Sequence, residues 1–119
     1  MSGVRLSLLV LRASDAARTR RFYESLGLAF AVEQHETGAL HYSCALGDTL
    51  IEIYPGHESR APEANSGGAT MLGLTVDDLD GAFTAATAGG ARVRRPPSEH
   101  SRRAVVEDPD GRVVEITPR

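Results

Sequence analysis

Two glutamates occupy the same unusual setting in this chain. Glu52 lies at the centre of TLIEIYP, residues 49–55, and Glu115 lies at the centre of RVVEITP, residues 112–118. Both segments are short and otherwise mostly apolar, which is typical of β-strands. A carboxylate is rarely buried in such surroundings unless another group pairs with it. The two glutamates are therefore the first candidates for chemistry.

The setting occurs twice because the chain carries an internal repeat. A displacement of 63 positions superposes three pairs of identical residues: Asp15 on Asp78, Gly27 on Gly90, and Glu52 on Glu115. The segment IEI, 51–53, then falls on VEI, 114–116. A constant displacement across three anchors indicates two copies of one structural unit.

Each copy is predicted to form a strand, a helix and three further strands. The first strands are LSLLVL, 6–11, and MLGLTV, 71–76; each helix begins at an aspartate cap and ends at glycine. The later strands are predicted at 28–35, 39–46 and 49–54, and at 91–95, 102–107 and 112–117. We therefore predict one domain, 1–119, with module one at 1–55, a linker at 56–68 and module two at 69–119.

Strand alternation predicts which side chains share a face with the glutamates. Ile51 and Ile53 are expected to pack on the helices, which turns Glu52 to the opposite face. The same reasoning in the other strands gives the predicted binding face: Leu8, Val10, Leu50, Glu52, Tyr54, Met71, Gly73, Val113 and Glu115. Strand alternation does not establish whether the side chains of His41 and Arg103 lie on this face.

Three segments carry a resemblance to a known family: SDAARTRRFYESLGL, 14–28, LGDTLIEIYP, 46–55, and VVEDPDGRVVEI, 105–116. With them the chain resembles the vicinal oxygen chelate superfamily of glyoxalases, bleomycin resistance proteins, fosfomycin resistance enzymes and extradiol dioxygenases. The resemblance implies an α+β fold in which two βαβββ modules form a curved, mostly antiparallel sheet with a concave cup. It also implies a homodimer; whether the modules pair within one chain or swap between chains stays open.

The resemblance further implies four positions for metal ligands. Those on the first strands lie seven residues before each helix-opening aspartate and are Leu8 and Met71, while the last strands provide Glu52 and Glu115. Leucine has no donor atom, and a thioether is too soft for the usual divalent ions. We therefore predict no metal at these positions, with Ni, Mn, Fe or Zn as the alternative. His35, His57 and His100 are expected at exposed strand ends or loops.

Without a metal, three roles for the glutamates remain open. The resemblance brings Glu52 and Glu115 together across the cup, where they could share a proton and act as a general acid or base. They could instead attract a positively charged, amphipathic ligand. In the third interpretation each glutamate is paired with an arginine, for which Arg12 and Arg103 are the candidates.

Composition excludes several classes of partner. The chain has 119 residues and a net charge of -3, so it lacks the basic surface typical of nucleic-acid binding. Its apolar run before Leu11 is too short to span a membrane. The single cysteine, Cys44, permits no internal disulfide, which favours a reducing, cytoplasmic location.

These observations favour a metal-independent small-molecule-binding protein of the glyoxalase and bleomycin resistance type. The more specific prediction is that the protein sequesters an antibiotic or another toxic compound. The alternative is a lyase, isomerase or dioxygenase that uses a divalent metal, or the pair Glu52 and Glu115, as its catalytic group. A third interpretation is a structural or regulatory protein whose cup binds another protein.

Overall fold

The chain folds into two modules with the same order of elements. The computed structural model describes residues 3–38, 40–56 and 70–119. Module one contains β1 (Leu8–Ala13), α1 (Ala16–Ser25), β2 (Ala31–Glu33), β3 (His41–Leu46) and β4 (Thr49–Pro55). Module two contains β5 (Met71–Val76), α2 (Leu79–Ala88), β6 (Arg92–Arg95), β7 (Ala104–Glu107) and β8 (Val113–Pro118). Apart from Gly56, the predicted linker 56–68 lies outside the described residues, as does His57.

The strands of each module form their own four-stranded sheet. The order is β1-β4-β3-β2 in one sheet and β5-β8-β7-β6 in the other. In each sheet the first and last strands of the module pair in parallel, and the other pairings are antiparallel. The predicted α+β fold with two βαβββ modules is confirmed. Within the described chain, however, the two sheets remain separate and do not join into one continuous sheet.

Both helices begin and end as the repeat predicts. The side chains of Asp15 and Asp78 each accept a hydrogen bond from the backbone N–H three residues later, which satisfies a donor of the first helical turn. Gly27 and Gly90 follow the two helices with φ of 112° and 90°. Residues with a side chain rarely adopt such angles, so glycine suits these helix ends.

The core lies between the sheets and the helices. Leu11 and Ile53 in the first module, and Val114 and Ile116 in the second, are buried there. The opposite face of each sheet is open. Its apolar side chains Leu8, Leu50 and Met71 are 48%, 43% and 60% exposed. The structure thus buries one face of each sheet and leaves the predicted binding face uncovered.

A buried polar network joins the two modules. The Tyr23 hydroxyl, on α1, donates to Oδ2 of Asp108, after β7, at 2.7 Å. Arg112 donates to the same carboxylate at 3.0 Å. Burial and the Asp108 charge raise the pKa of Tyr23 well above its ordinary value, because both disfavour a phenolate. Tyr23 therefore stays protonated and keeps its role as a donor across the junction.

The same turn makes a second link to module one. Both the backbone N–H and the hydroxyl of Ser14 donate to the carboxylate of Asp110, and Arg112 donates to the backbone carbonyl of Arg12. DPDG, 108–111, forms a tight turn between β7 and β8, in which Gly111 has a φ of 85° and its N–H donates to the Asp108 carbonyl. Its two aspartates also hold the modules against each other.

Neither helix in the described parts of the chain is long and apolar enough to cross a membrane.

Candidate functional site

The open face of module one is built mainly by β1 and β4. These strands pair in parallel with Leu8 opposite Leu50, Val10 opposite Glu52, and Arg12 opposite Tyr54. The intervening residues of β4, Ile51 and Ile53, are buried on the helix side. Glu52 and its neighbours therefore lie on the face that the sequence predicts, between apolar side chains that remain exposed.

Glu52 contacts a buried histidine. The Glu52 side chain is 13% exposed, and its Oε2 atom lies 3.6 Å from Nε2 of His41. The same nitrogen lies 3.2 Å from Oε1 of Glu33, while the His41 side chain is only 1% exposed. The His41 side chain thus lies on the same face of the sheet as Glu52. Strand alternation in the sequence did not establish this orientation. It lies between two carboxylates that come from different strands.

Four planar groups form a row across this face. The Arg12 guanidinium lies 5.5 Å from the centroid of the Tyr54 ring. The rings of Tyr54 and His41 stack at 4.3 Å with an interplanar angle of 6°, and His35 lies 5.3 Å from His41. We call these four residues the planar row. Tyr54 is partly exposed, so the row offers an aromatic surface to a planar ligand.

The open face of module two is built by β5 and β8. Met71 pairs with Val113 and Gly73 pairs with Glu115. A Cβ atom placed on Gly73 would meet nothing within 4 Å, so this part of the surface is open. Val113 lies on the same face but is buried, and it contributes less to the surface than the sequence predicts.

Glu115 forms an ion pair within its own sheet. Nη1 of Arg103 donates to Oε2 of Glu115 at 3.2 Å, which also shows that Arg103 can reach the open face. Arg12, the other candidate partner, contacts Tyr54 instead. Because Glu52 has its own partner in His41, each glutamate contacts a basic residue of its own module. The Arg103 contact fits the ion-pair interpretation for Glu115, whereas the basic residue beside Glu52 is a histidine and not one of the two candidate arginines.

The side chains do not fit a divalent metal at the four positions that the resemblance implies. Leu8 has only hydrocarbon to offer, and Met71 has only a thioether sulfur. The two carboxylates that remain, Glu52 and Glu115, already contact basic residues. No imidazole occupies any of these positions. Metal chemistry at this location is therefore not supported by the donor set.

The sequence pattern alone did not predict that the side chains of Glu33, His35 and His41 lie close to one another. A usable signal was the short turn between β3 and β4, at which Leu46 pairs with Thr49. Counting back along β3 from that pair assigns every second residue to the face of Glu52, and His41 is one of them. The pairing of Glu33 with His41 depends on the register between β2 and β3, which the structure shows and this count does not give.

Two depressions in the described part of the chain lie away from the open faces. A cleft of about 470 Å³ is lined by Arg18 and Arg21 of α1 and by residues near the DPDG turn. Another, of about 580 Å³, lies between the end of α1 and the start of α2. Neither lining includes Glu52 or Glu115.

Solved structures share this two-module fold. The antibiotic-binding protein TnmS3 from Streptomyces sp. CB03234 is 23% identical, with a TM-score of 0.70 over 99% of this chain and 98% of that chain. The fosfomycin resistance protein FosX from Mesorhizobium loti is 19% identical, with a TM-score of 0.65 over 98% and 91%. Glyoxalase I from Leishmania major is 18% identical, with a TM-score of 0.74 over 98% and 87%. Identities this low establish the fold alone.

No curated protein sequence matches the chain significantly. A family model, in contrast, matches residues 5–116, which is nearly the whole length. The repeat, the capped helices and the paired sheets described above agree with that match. The chain belongs to the Glyoxalase/Bleomycin resistance protein/Dioxygenase superfamily.

Proposed function

We propose that this chain is a cytoplasmic small-molecule-binding protein that sequesters a planar, positively charged compound such as an antibiotic. Binding takes place on the open faces and needs no metal at the four family positions. The observation that carries the proposal is the surface around Glu52, where a carboxylate and the planar row adjoin exposed apolar side chains. Small-molecule sites commonly combine an apolar lining with a few placed polar groups.

The charge of this surface favours a cation. Two carboxylates, Glu33 and Glu52, lie beside His41, and within the planar row Arg12 is the member with a permanently charged group. A cationic group that reaches Glu52 gains a charge-assisted hydrogen bond in partly buried surroundings. The planar part of the same ligand can pack against the exposed part of the Tyr54 side chain. The similarity in fold to an antibiotic-binding protein supports this class of ligand.

The open faces also support a homodimer. Three large apolar side chains on them are exposed in a single chain: Leu8, Leu50 and Met71. Covering such a surface with a second copy would remove apolar area from water and would enclose the ligand. We propose that each cup is completed by a second copy of the chain.

Sedimentation equilibrium tests the dimer. The mass of one chain is 12.7 kDa. We expect about twice that mass at micromolar protein concentration, because the exposed apolar faces favour association. A single-chain mass throughout the concentration range, with or without ligand, would contradict the proposed assembly.

Calorimetric titration tests the binding function. Chelator-treated protein would be titrated with bleomycin and with a panel of other planar, cationic antibiotics. We expect saturable binding with chelator present and recovery of the unchanged compound, as judged by mass spectrometry. Chemical conversion of a compound would instead support the alternative, a lyase, isomerase or dioxygenase. Absence of binding across the panel would contradict the proposal.

A further inference from the structure

The three-residue cluster of Glu33, His35 and His41 lies at the edge of the first sheet. None of its members occupies one of the four family positions, although His41 contacts Glu52. We propose that it is a binding site for a divalent ion of the zinc type. One ligand atom from each residue lies within 4.8 Å of the other two. This inference goes beyond the proposed ligand-binding function, which requires no metal.

The backbone brings these ligands together. Glu33 ends β2 and pairs directly with His41 of β3, so their side chains share a face. His35 follows Glu33 by two residues. The turn that carries His35 is held by two hydrogen bonds of 2.8 Å: Gly38 N–H donates to the His35 carbonyl, and Gln34 Nε2 donates to the Gly38 carbonyl. The cluster is thus positioned by the hairpin between β2 and β3.

The distances require only a small adjustment. Zinc bonds to nitrogen and oxygen of about 2.0–2.2 Å place tetrahedral ligand atoms roughly 3.3–3.5 Å apart. Glu33 and His41 already meet this requirement, with Oε1 and Nε2 separated by 3.2 Å. His35 is exposed, so its ring can rotate to close the remaining gap of about 1 Å. His41 is buried and stacked on Tyr54, which fixes one ligand in advance.

The chemistry of the donors suits zinc. Two imidazoles and one carboxylate are a known zinc ligand set that leaves a coordination position open for water or another ligand. Cobalt(II) and nickel(II) accept the same donors. Glu52, whose Oε2 lies 3.6 Å from His41 Nε2, adds negative charge beside the cluster.

Zinc titration with the whole protein tests this inference. We expect one zinc ion per chain with micromolar or tighter affinity, and a cobalt(II) spectrum with the intense visible bands of a four-coordinate ion. His35→Ala and Glu33→Gln each remove a ligand and are expected to weaken zinc binding by more than about tenfold. Both residues have exposed or partly exposed side chains, and circular dichroism would verify that the variants fold.

Two control variants distinguish this cluster from zinc binding elsewhere on the chain. His100→Ala removes an exposed histidine of module two, and Glu115→Gln removes a carboxylate at a family position. Zinc affinity is expected to stay within about twofold of wild type in both. Failure of the wild type to bind zinc or cobalt would overturn the inference. So would a loss of affinity in Glu115→Gln with none in His35→Ala, which would place the ion at the family positions.

Discussion

Arg112→Met is expected to lower the free energy of unfolding by about 3–5 kcal/mol. The Arg112 side chain is 8% exposed and its Nη1 atom lies 3.0 Å from Asp108 and 3.7 Å from Asp110. Both aspartate side chains are fully buried. Methionine keeps much of the side-chain volume but leaves two buried carboxylates without their cation. Urea denaturation at neutral pH would measure the change.

A matched control is the exposed ion pair of Arg102 and Asp80. Its atoms are 2.8 Å apart, but both side chains are substantially exposed. Arg102→Met is expected to change the free energy of unfolding by less than about 1 kcal/mol, because water screens exposed pairs. If Arg112→Met costs no more than Arg102→Met, the network at the DPDG turn does not hold the modules together.

Tyr54→Ala is expected to weaken binding of a planar cationic compound by about 10–100-fold. Tyr54 is the centre of the planar row, between the Arg12 guanidinium and the His41 ring. Its removal takes away the partly exposed ring against which a ligand packs and also uncovers His41. Calorimetric titration with the tightest-binding compound of the panel would measure the change in dissociation constant.

Tyr54→Phe is the matched control for this prediction. It keeps the ring and removes only the hydroxyl, so the dissociation constant is expected to stay within about threefold of wild type. Equal affinity in wild type and Tyr54→Ala would show that the ligand does not use the planar row. A large loss in Tyr54→Phe would instead assign the interaction to the hydroxyl.

The architecture could be predicted from the sequence because the signals that set it are local. An aspartate cap and a terminal glycine mark each helix, and both signals recur at a displacement of 63 positions. Alternation along β4 and β8 oriented Glu52 and Glu115 correctly, since a strand with one wholly apolar face has one natural side to bury. Because the two modules repeat, each helix or strand predicted in one module could be checked against its counterpart in the other.

The contacts between modules could not be predicted in this way. Tyr23 and Asp108 are 85 positions apart, and no local pattern relates them. The repeat superposes Tyr23 on Ala86 and Asp108 on Ala45, so neither residue has a polar counterpart in the other module. When the two modules are aligned, these two positions therefore look like ordinary sequence differences between the copies. Their role becomes visible only when the fold brings α1 against the turn after β7.

The expectation that Glu52 and Glu115 meet came from the pairing of the two modules about an approximate two-fold axis, which the resemblance implies. In the described chain the sheets are separate, and each glutamate contacts a basic residue of its own module. His41 and Arg103 were the residues whose phase the sequence left open, and they are these partners. Long-range strand register, which alternation alone does not give, decided which basic group reaches which carboxylate.

The most direct test of the proposed function compares the charge preference of the site in two proteins. Dissociation constants for a planar cationic compound and for its neutral analogue would be measured by calorimetry with wild type and Glu52→Gln, both treated with chelator. We expect wild type to prefer the cation by at least about tenfold and Glu52→Gln to lose that preference, because the glutamine keeps the shape but not the charge. An equal preference in both proteins would contradict the assignment of Glu52 as the group that binds the cation.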